Sequence, residues 1–466
     1  MHSANSGNDV VGVVGAGSMG RGIAQVVATS GTAVTIVDLD PAVLEAGREA
    51  ITQDLAGQVK RNRLTETEAG AIAGRVRWST DYRDLAGAGL VIEAIVENAG
   101  IKTGLFRTLE GIVGPDAILA TNTSSLSVTG LGSGLDRPHR FAGLHFFNPA
   151  TVMKLVEVVA GAATAPEVTE RLIALAGHWK KNPVQVRDVP GFIVNRVARP
   201  YYAEGFLALG EGVADAQTID HVMKVNGGFR MGPLELADLI GHDVNFAVAQ
   251  SVYNAYFGKA RFAPQLTQGD LVAAGRLGRK SGRGFYDYGR PLPEVTYLSG
   301  EWDGDPAQAV LQQTDGRSAN RLASELNRPV ALFDWSRDPA AGTLAFSVSE
   351  QGREAALAAA LDYARQRDKQ AVLLADRPGM LALRTVCQLA NAAADAVRDR
   401  VASGEGIDQA MRFGANHPEG PLATAAGIGA DKVVSALAHI AGETGDPIYQ
   451  PSEVLRRASY AASVGV

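Results

Sequence analysis

The stretch GLHFFNPATVMKLVEVV, residues 143–159, places His145 and Glu157 inside two otherwise apolar runs. Such groups are costly to bury unless each satisfies the other or they perform chemistry. Histidine exchanges a proton near neutral pH, and a carboxylate on its far nitrogen fixes the tautomer and stabilises the imidazolium. The pair is therefore a candidate for general acid–base work, provided that the fold brings the two side chains together.

The elements that must position them read as a doubly wound α/β sheet. VVGVVGAGSMGRGIAQVVATSGTAVTIVDLD runs strand, glycine turn, helix, strand, acid. Gly15, Gly17 and Gly20 complete G-x-G-x-x-G, in which backbone can approach a pyrophosphate at a helix N-terminus; Ser18 and Met19 belong to the same turn. Asp38 ends the second strand, where its carboxylate would bond ribose hydroxyls and repel a 2′-phosphate. No arginine follows it in DLDPAVLEAG, which favours NAD over NADP. Further strands are expected at 90–97, 117–124, 141–148 and 155–160. Glu97, Ser124, His145 and Asn148 then gather at strand ends, the edge where open α/β sheets bind ligands.

The 466 residues imply two to four domains, and a net charge of −6 leaves no footprint for nucleic acid. The single cysteine, Cys387, fits a reducing cytoplasm and sits at helical spacing, as a packing residue would. MHSANSGNDV carries no signal-peptide pattern, no apolar run is long enough to span a bilayer, and the scattered histidines offer no metal cluster. DVPGFIVNRVARPYYAEG, from Asp188, recurs as DRPGMLALRTVCQLANAA, from Asp376, at a gap-free offset of 188. The match continues through MGPLELADLIGHD and EGPLATAAGIGAD, so the helical domain is duplicated. A weaker match upstream makes residues 300–375 a shrunken α/β remnant. There Glu157 aligns approximately with Phe346 and Asn195 with Leu383, which leaves the second copy chemically silent. Residues 289–320 read as connecting loop. The domains expected are 1–187, a Rossmann-type sheet; 188–290, helical; 291–375, the remnant; and 376–466, the second helical copy.

With the glycine turn, EAIVEN, TNTSSLS, GLHFFNP, LVEVV, DVPGFIVNR, GPLEL and GRKSGRGFYDY, the chain resembles the 3-hydroxyacyl-CoA dehydrogenase family over residues 10–288. The doubled tail looks closest to its phenylacetate-pathway branch, the 3-hydroxyadipyl-CoA dehydrogenases. The resemblance implies NAD-dependent oxidation of a 3-hydroxyacyl-CoA, with His145 and Glu157 as the dyad. It implies Ser124 and Asn195 as groups polarising the substrate oxygen. Cofactor contacts fall on Asp38, Glu97, Lys102, Ser124, Asn148 and Lys280, beside the glycine turn. Lys60 and Arg61 stand for the basic patch that meets the CoA phosphates, with Lys102 also on the substrate side. A serine of the family pattern is Asp54 here, which puts that CoA contact in doubt.

Arg230, in NGGFRMGPLEL, occupies a place that shorter-chain relatives usually fill with an uncharged residue. On a flexible glycine loop it could grip a terminal carboxylate. Since Asn195 begins the helical part, the two domains are expected to meet at the site. The covalent second copy could replace a partner subunit, giving a monomer with an internal pseudo-dimer, or else a homo-oligomer. A 3-hydroxybutyryl-CoA dehydrogenase and a non-catalytic structural relative remain alternatives.

Overall fold

The structure, a computed structural model, describes residues 10–464; the N-terminal stretch that bears on a signal peptide lies outside them. No helix among the described residues is long and apolar enough to cross a membrane. The chain divides into two compact units, Met1–Ile193 with Val401–Gly414, and Val194–Arg400 with Ala415–Val466.

In the first unit, buried runs rich in β-branched residues make an eight-stranded sheet. Its strands are β1 (Val10–Val14), β2 (Val34–Val37), β3 (Val76–Ser79), β4 (Ala88–Glu93), β5 (Ile118–Thr121), β6 (Phe141–Phe146), β7 (Leu155–Ala160) and β8 (Asn182–Arg187). The spatial order is β3-β2-β1-β4-β5-β6-β7-β8. All neighbours are parallel except β6 and β7, so β7 and β8 run against the rest. Strands β4, β5 and β6 end earlier than the apolar runs suggest, because Glu97, Ser124 and Asn148 already lie in the loops beyond them. The helix Ser18–Thr29 buries Ile23, Val26 and Val27 in the core that backs β1 and β2.

The second unit holds the helical copies and a four-stranded sheet: β9 (Val310–Gln313), β10 (Val330–Phe333), β11 (Thr343–Val348) and β12 (Gln370–Leu373). β9 falls in the stretch expected to be loop; its short sequence VLQQ has no apolar periodicity, and its pairing with β10 alone makes it a strand. The directions from β9 to β12, parallel, antiparallel, parallel, repeat those from β5 to β8. The buried arginines at matched positions exchange partners across the copies. Arg196 pairs with Asp399 at 2.5 Å and Arg384 with Glu204 at 2.9 Å. Buried Cys387 is a packing residue, its thiol pushed up to about 12 by burial.

Register corrects the alignment of the remnant. Leu155 stands opposite Asn182 and Thr343 opposite Gln370, so the offset of 188 persists from β7 and β8 to β11 and β12. Glu157 therefore corresponds to Ala345, not Phe346, which a one-residue slip puts on the other face, inside the core with Leu357. By strand pairing the counterpart of His145 is Asp334, one residue beyond that offset, whose N–H donates to Ala345 O at 2.9 Å. The Asp334 carboxylate accepts the N–H groups of Leu381, Ala382 and Leu383, at the start of the helix Ala382–Arg398. Both members of the dyad are thus replaced, and the remaining acid caps a helix.

Burial outweighs those donors and raises the Asp334 carboxyl from 3.8 to about 6. With the folded value above the unfolded one, protonation of Asp334 adds stability that is complete below about pH 4 and fades as pH rises through about 6. Across that window wild type should lose Tm relative to Asp334→Asn, as scanning calorimetry would register; parallel Tm curves would show that Asp334 does not titrate there.

Candidate active site

His145 lies on β6 directly opposite Glu157 on β7. Its Nδ1 is 2.7 Å from Glu157 Oε2, with the residues 6% and 1% exposed. A carboxylate only accepts, so Nδ1 donates, and in the neutral ring Nε2 keeps its lone pair. Nε2 has no protein partner among the described residues. The ring sits between Phe147 and Phe192, at centroid distances of 4.5 and 5.8 Å. Glu157 Oε1 accepts the Ile193 N–H at 3.0 Å, beyond a turn in which Gly191 and Phe192 both have positive φ. The end of β6 is tied by Phe146 N–H to Asn122 Oδ1 at 2.8 Å.

A second cluster surrounds Glu97. Its Oε1 accepts from Thr123 Oγ1 at 2.5 Å, Ser125 Oγ at 2.8 Å and Ser124 N–H at 3.3 Å. Burial raises the Glu97 carboxyl, but the donors Thr123, Lys102 and Ser125 outweigh it and hold it below the usual range. The Lys102 ammonium is enclosed between Glu93 at 2.7 Å and Glu97 at 3.0 Å, and the residue is only 1% exposed. It therefore stands behind Glu97, held inside the protein. Glu93 also takes Thr121 Oγ1 and Ile95 N–H, each at 2.7 Å.

The glycine turn follows β1. A Cβ on Gly20 would lie 1.8 Å from Gly15 O, whereas one on Gly17 would meet nothing. The helix that opens at Ser18, beside Met19, has no side-chain cap and no acid in its first turn. Asp38 is held at the end of β2 by Ala16 N–H at 2.9 Å and Asp40 N–H at 3.1 Å. Asn148 is exposed and precedes a cis proline bond. Lys181 Nζ ties down the loop that follows by donating to Ala150 O at 2.5 Å and Met153 O at 2.7 Å. Lys60 and Arg61 are exposed at the end of the helix Pro41–Lys60, and Asp54 is occupied by Gln25 at 2.6 Å and Gln58 at 2.8 Å.

The remaining expected residues belong to the second unit. Asn195 lies in the helix Val194–Val197 and is half-buried. Lys280 is ion-paired with Asp243 at 2.5 Å, and that hydrogen bond depresses the Asp243 carboxyl. Arg230 is exposed, without a protein partner among the described residues. Its loop is pinned, contrary to the flexibility expected of two glycines. Arg337 N–H donates to Asn226 O at 2.8 Å, and the Arg337 side chain would meet a Cβ on Gly228 at 2.7 Å. Sequence reasoning missed Glu93, Asn122, Thr123 and Lys181. Glu93 carried the same signal as Glu157, an acid inside an apolar run.

Residues 10–189 match the description "3-hydroxyacyl-CoA dehydrogenase, NAD binding domain", and 191–288 and again 379–466 match its C-terminal domain. The chain belongs to the 3-hydroxyacyl-CoA dehydrogenase family. Residues 311–378 match a "3-hydroxybutyryl-CoA dehydrogenase reduced Rossmann-fold domain". The chain is 42% identical over 461 residues to the 3-hydroxyadipyl-CoA dehydrogenase of Escherichia coli K12, covering 96% of each. A probable 3-hydroxybutyryl-CoA dehydrogenase of Bacillus subtilis is 43% identical over 276 residues, 59% of this chain and 96% of that one. The crystal structure of a 3-hydroxybutyryl-CoA dehydrogenase from E. coli K12 superposes with a TM-score of 0.95 at 41% identity, covering 99% of this chain and 100% of that one. The protein is thus an enzyme, an NAD-dependent 3-hydroxyacyl-CoA dehydrogenase. The residues present fit NAD: an uncapped helix start behind open Gly17 can receive a pyrophosphate, and the anchored Asp38 can receive a ribose.

The enclosure of Lys102 has a measurable consequence. Lys102→Met leaves Glu93 buried without its counter-charge, a loss of about 3–5 kcal/mol. Chemical denaturation should show that loss, and Glu93→Gln in the same chain should recover part of it. Additive losses in the double variant would separate the two residues energetically.

Proposed function

We propose that this enzyme oxidises the 3-hydroxyl of an acyl-CoA with His145 as the base, and that its preferred acyl tail ends in a carboxylate, as in 3-hydroxyadipyl-CoA. The observation that carries the first part is the 2.7 Å contact of His145 Nδ1 with Glu157, which leaves Nε2 free to accept a proton. His145 Nε2 takes the proton of the 3-hydroxyl, and Glu157 holds the ring and stabilises the imidazolium that results. Ser124 and Asn195 donate to the substrate oxygen as negative charge develops on it. Bound NAD supplies the acceptor for the hydride leaving C3. Glu97, fixed by Lys102, Thr123 and Ser125, together with Asn148, Lys280 and the glycine turn, orients the cofactor. Lys60 and Arg61, both exposed cations, meet the CoA phosphates.

The tail preference draws on the relative named 3-hydroxyadipyl-CoA dehydrogenase, and on Arg230, exposed on a pinned loop with its guanidinium uncommitted. A 3-hydroxybutyryl-CoA reading is favoured by the name of the superposing crystal structure. Relative turnover of the two acyl-CoAs with NAD distinguishes them. We place the enzyme in the cytoplasm, working as a monomer with an internal pseudo-dimer or as a homo-oligomer; the ion pairs that the two copies exchange within one chain support the internal pairing.

His145→Gln should lower kcat by about three orders of magnitude or more, and Glu157→Gln by less, while calorimetric NAD binding survives in both. Near-normal turnover in His145→Gln would remove it as the base. NAD should be preferred to NADP, because the Asp38 carboxylate opposes a 2′-phosphate; equal kcat/KM for the two would refute that. Arg230→Met should lower kcat/KM for 3-hydroxyadipyl-CoA by about ten- to a hundred-fold while sparing 3-hydroxyhexanoyl-CoA. Equal losses for both substrates would take Arg230 out of tail recognition.

A further inference from the structure

By sequence the helix Gly404–Gly414 belongs to the silent second copy, yet it packs on β7 and β8 and joins the compact unit of the first sheet. Its entry is fixed by Val401, whose carbonyl accepts the Arg187 N–H at 2.9 Å. At the offset of 188 the same bond recurs, Ala375 N–H donating to Val213 O at 2.9 Å. Each copy thus lends a helix start to the other copy's sheet. Ser403 then caps the incoming helix, its Oγ accepting the Gly406 N–H at 3.1 Å.

The consequence lies in one row of the sheet. His145 stands opposite Glu157, and Glu157 opposite Val184. Residues paired this way project to the same face. Gly406 comes next: a Cβ there would lie 2.9 Å from Val184 Cγ1. The helix backbone therefore closes the outer side of the row that carries the dyad, so near that an added Cβ would force Val184 or the helix to shift. In the second copy the row reads Asp334, Ala345 and Val372, and the position matching Gly406 is Thr218. Where no dyad has to be held, the helix carries a branched side chain.

We propose that Gly406 is a positioning residue for the reaction: seated on Val184, it lets the helix Gly404–Gly414 hold β7 so that Glu157 stays within hydrogen-bonding distance of His145. This rests on the reading of His145 and Glu157 as the catalytic dyad. It assigns the second copy a role in turnover, although that copy has no catalytic residues of its own. A valine at 406 forces β8 or the helix to move by an appreciable fraction of an ångström, and the displacement passes along the ladder to Glu157.

The test is a cycle in the full-length enzyme. Gly406→Val should lower kcat by about ten-fold or more and Gly406→Ala by less, with the KM for NAD changed by less than about two-fold. In a Glu157→Gln background Gly406→Val should cause little further loss, since the contact it disturbs is already gone. Val184→Ala, which makes room for the new side chain, should restore most of the kcat of Gly406→Val. Full kcat in Gly406→Val, an equal loss in both backgrounds, or a KM for NAD that rises in step with the fall in kcat would overturn the proposal. If Gly406→Val fails to fold, Gly406→Ala carries the same cycle. Wild-type kcat in Glu157→Gln would remove the dyad reading and this inference with it. A low kcat in Glu157→Gln beside a full kcat in Gly406→Val would remove this inference alone.

Discussion

Enclosing an imidazole and a carboxylate together is tolerated only if the two meet at hydrogen-bonding distance, because a lone buried charge costs several kcal/mol. In this enzyme that requirement is met by the register of β6 against β7, which sets His145 opposite Glu157. A parallel pair needs a long crossover between its strands, whereas the antiparallel return lets residues close in sequence face each other. The reversal of direction at β7 is therefore what makes the site possible. Asn122 on the end of β6 and the Ile193 N–H on Glu157 then fix what the register has aligned.

The second copy shows the same frame without that requirement. Strand directions repeat, the offset of 188 holds from β7 and β8 to β11 and β12, and the acids at the start of the repeat act alike in both copies. Asp188 accepts Thr129 N–H and Asp376 accepts Asn320 N–H, each at a helix start. At the dyad position a single acid, Asp334, faces Ala345 and spends its oxygens on backbone amides. Capping a helix asks for one acceptor, whereas moving a proton asks for a titrating ring with a partner behind it. The frame repeats without the His–Glu pair because ladder hydrogen bonds and helix caps do not depend on which side chains face the cleft.

Charge is handled in the same way away from the dyad. Lys102, an expected ligand contact, is ion-paired with both Glu93 and Glu97. Arg196 and Arg384 lie buried against acids of the opposite copy. Glu93 and Glu204 are enclosed carboxylates satisfied by a long cationic side chain, whereas in the Arg196–Asp399 pair the arginine is the enclosed member.

By itself the sequence determined the glycine turn with Asp38, the strand that bears His145, and the gap-free duplication, while Glu97, Ser124 and Asn148 fall in the loops just beyond the strands it suggested. Each of these is local: a turn needs particular backbone freedom, a buried strand needs apolar runs, and a repeat needs only comparison. What it could not determine was pairing. The approximate match of Phe346 to Glu157 failed by one residue, because side chains alternate faces along a strand and only the neighbouring strand fixes the phase. β9 was hidden because an edge strand as short and polar as VLQQ owes its existence to its partner. The pinning of the Arg230 loop by Arg337, the enclosure of Lys102, and the docking of the helix Gly404–Gly414 beside Val184 join residues remote in the chain. Tertiary packing alone decided those, because the energy of such contacts depends on distances that no local pattern encodes.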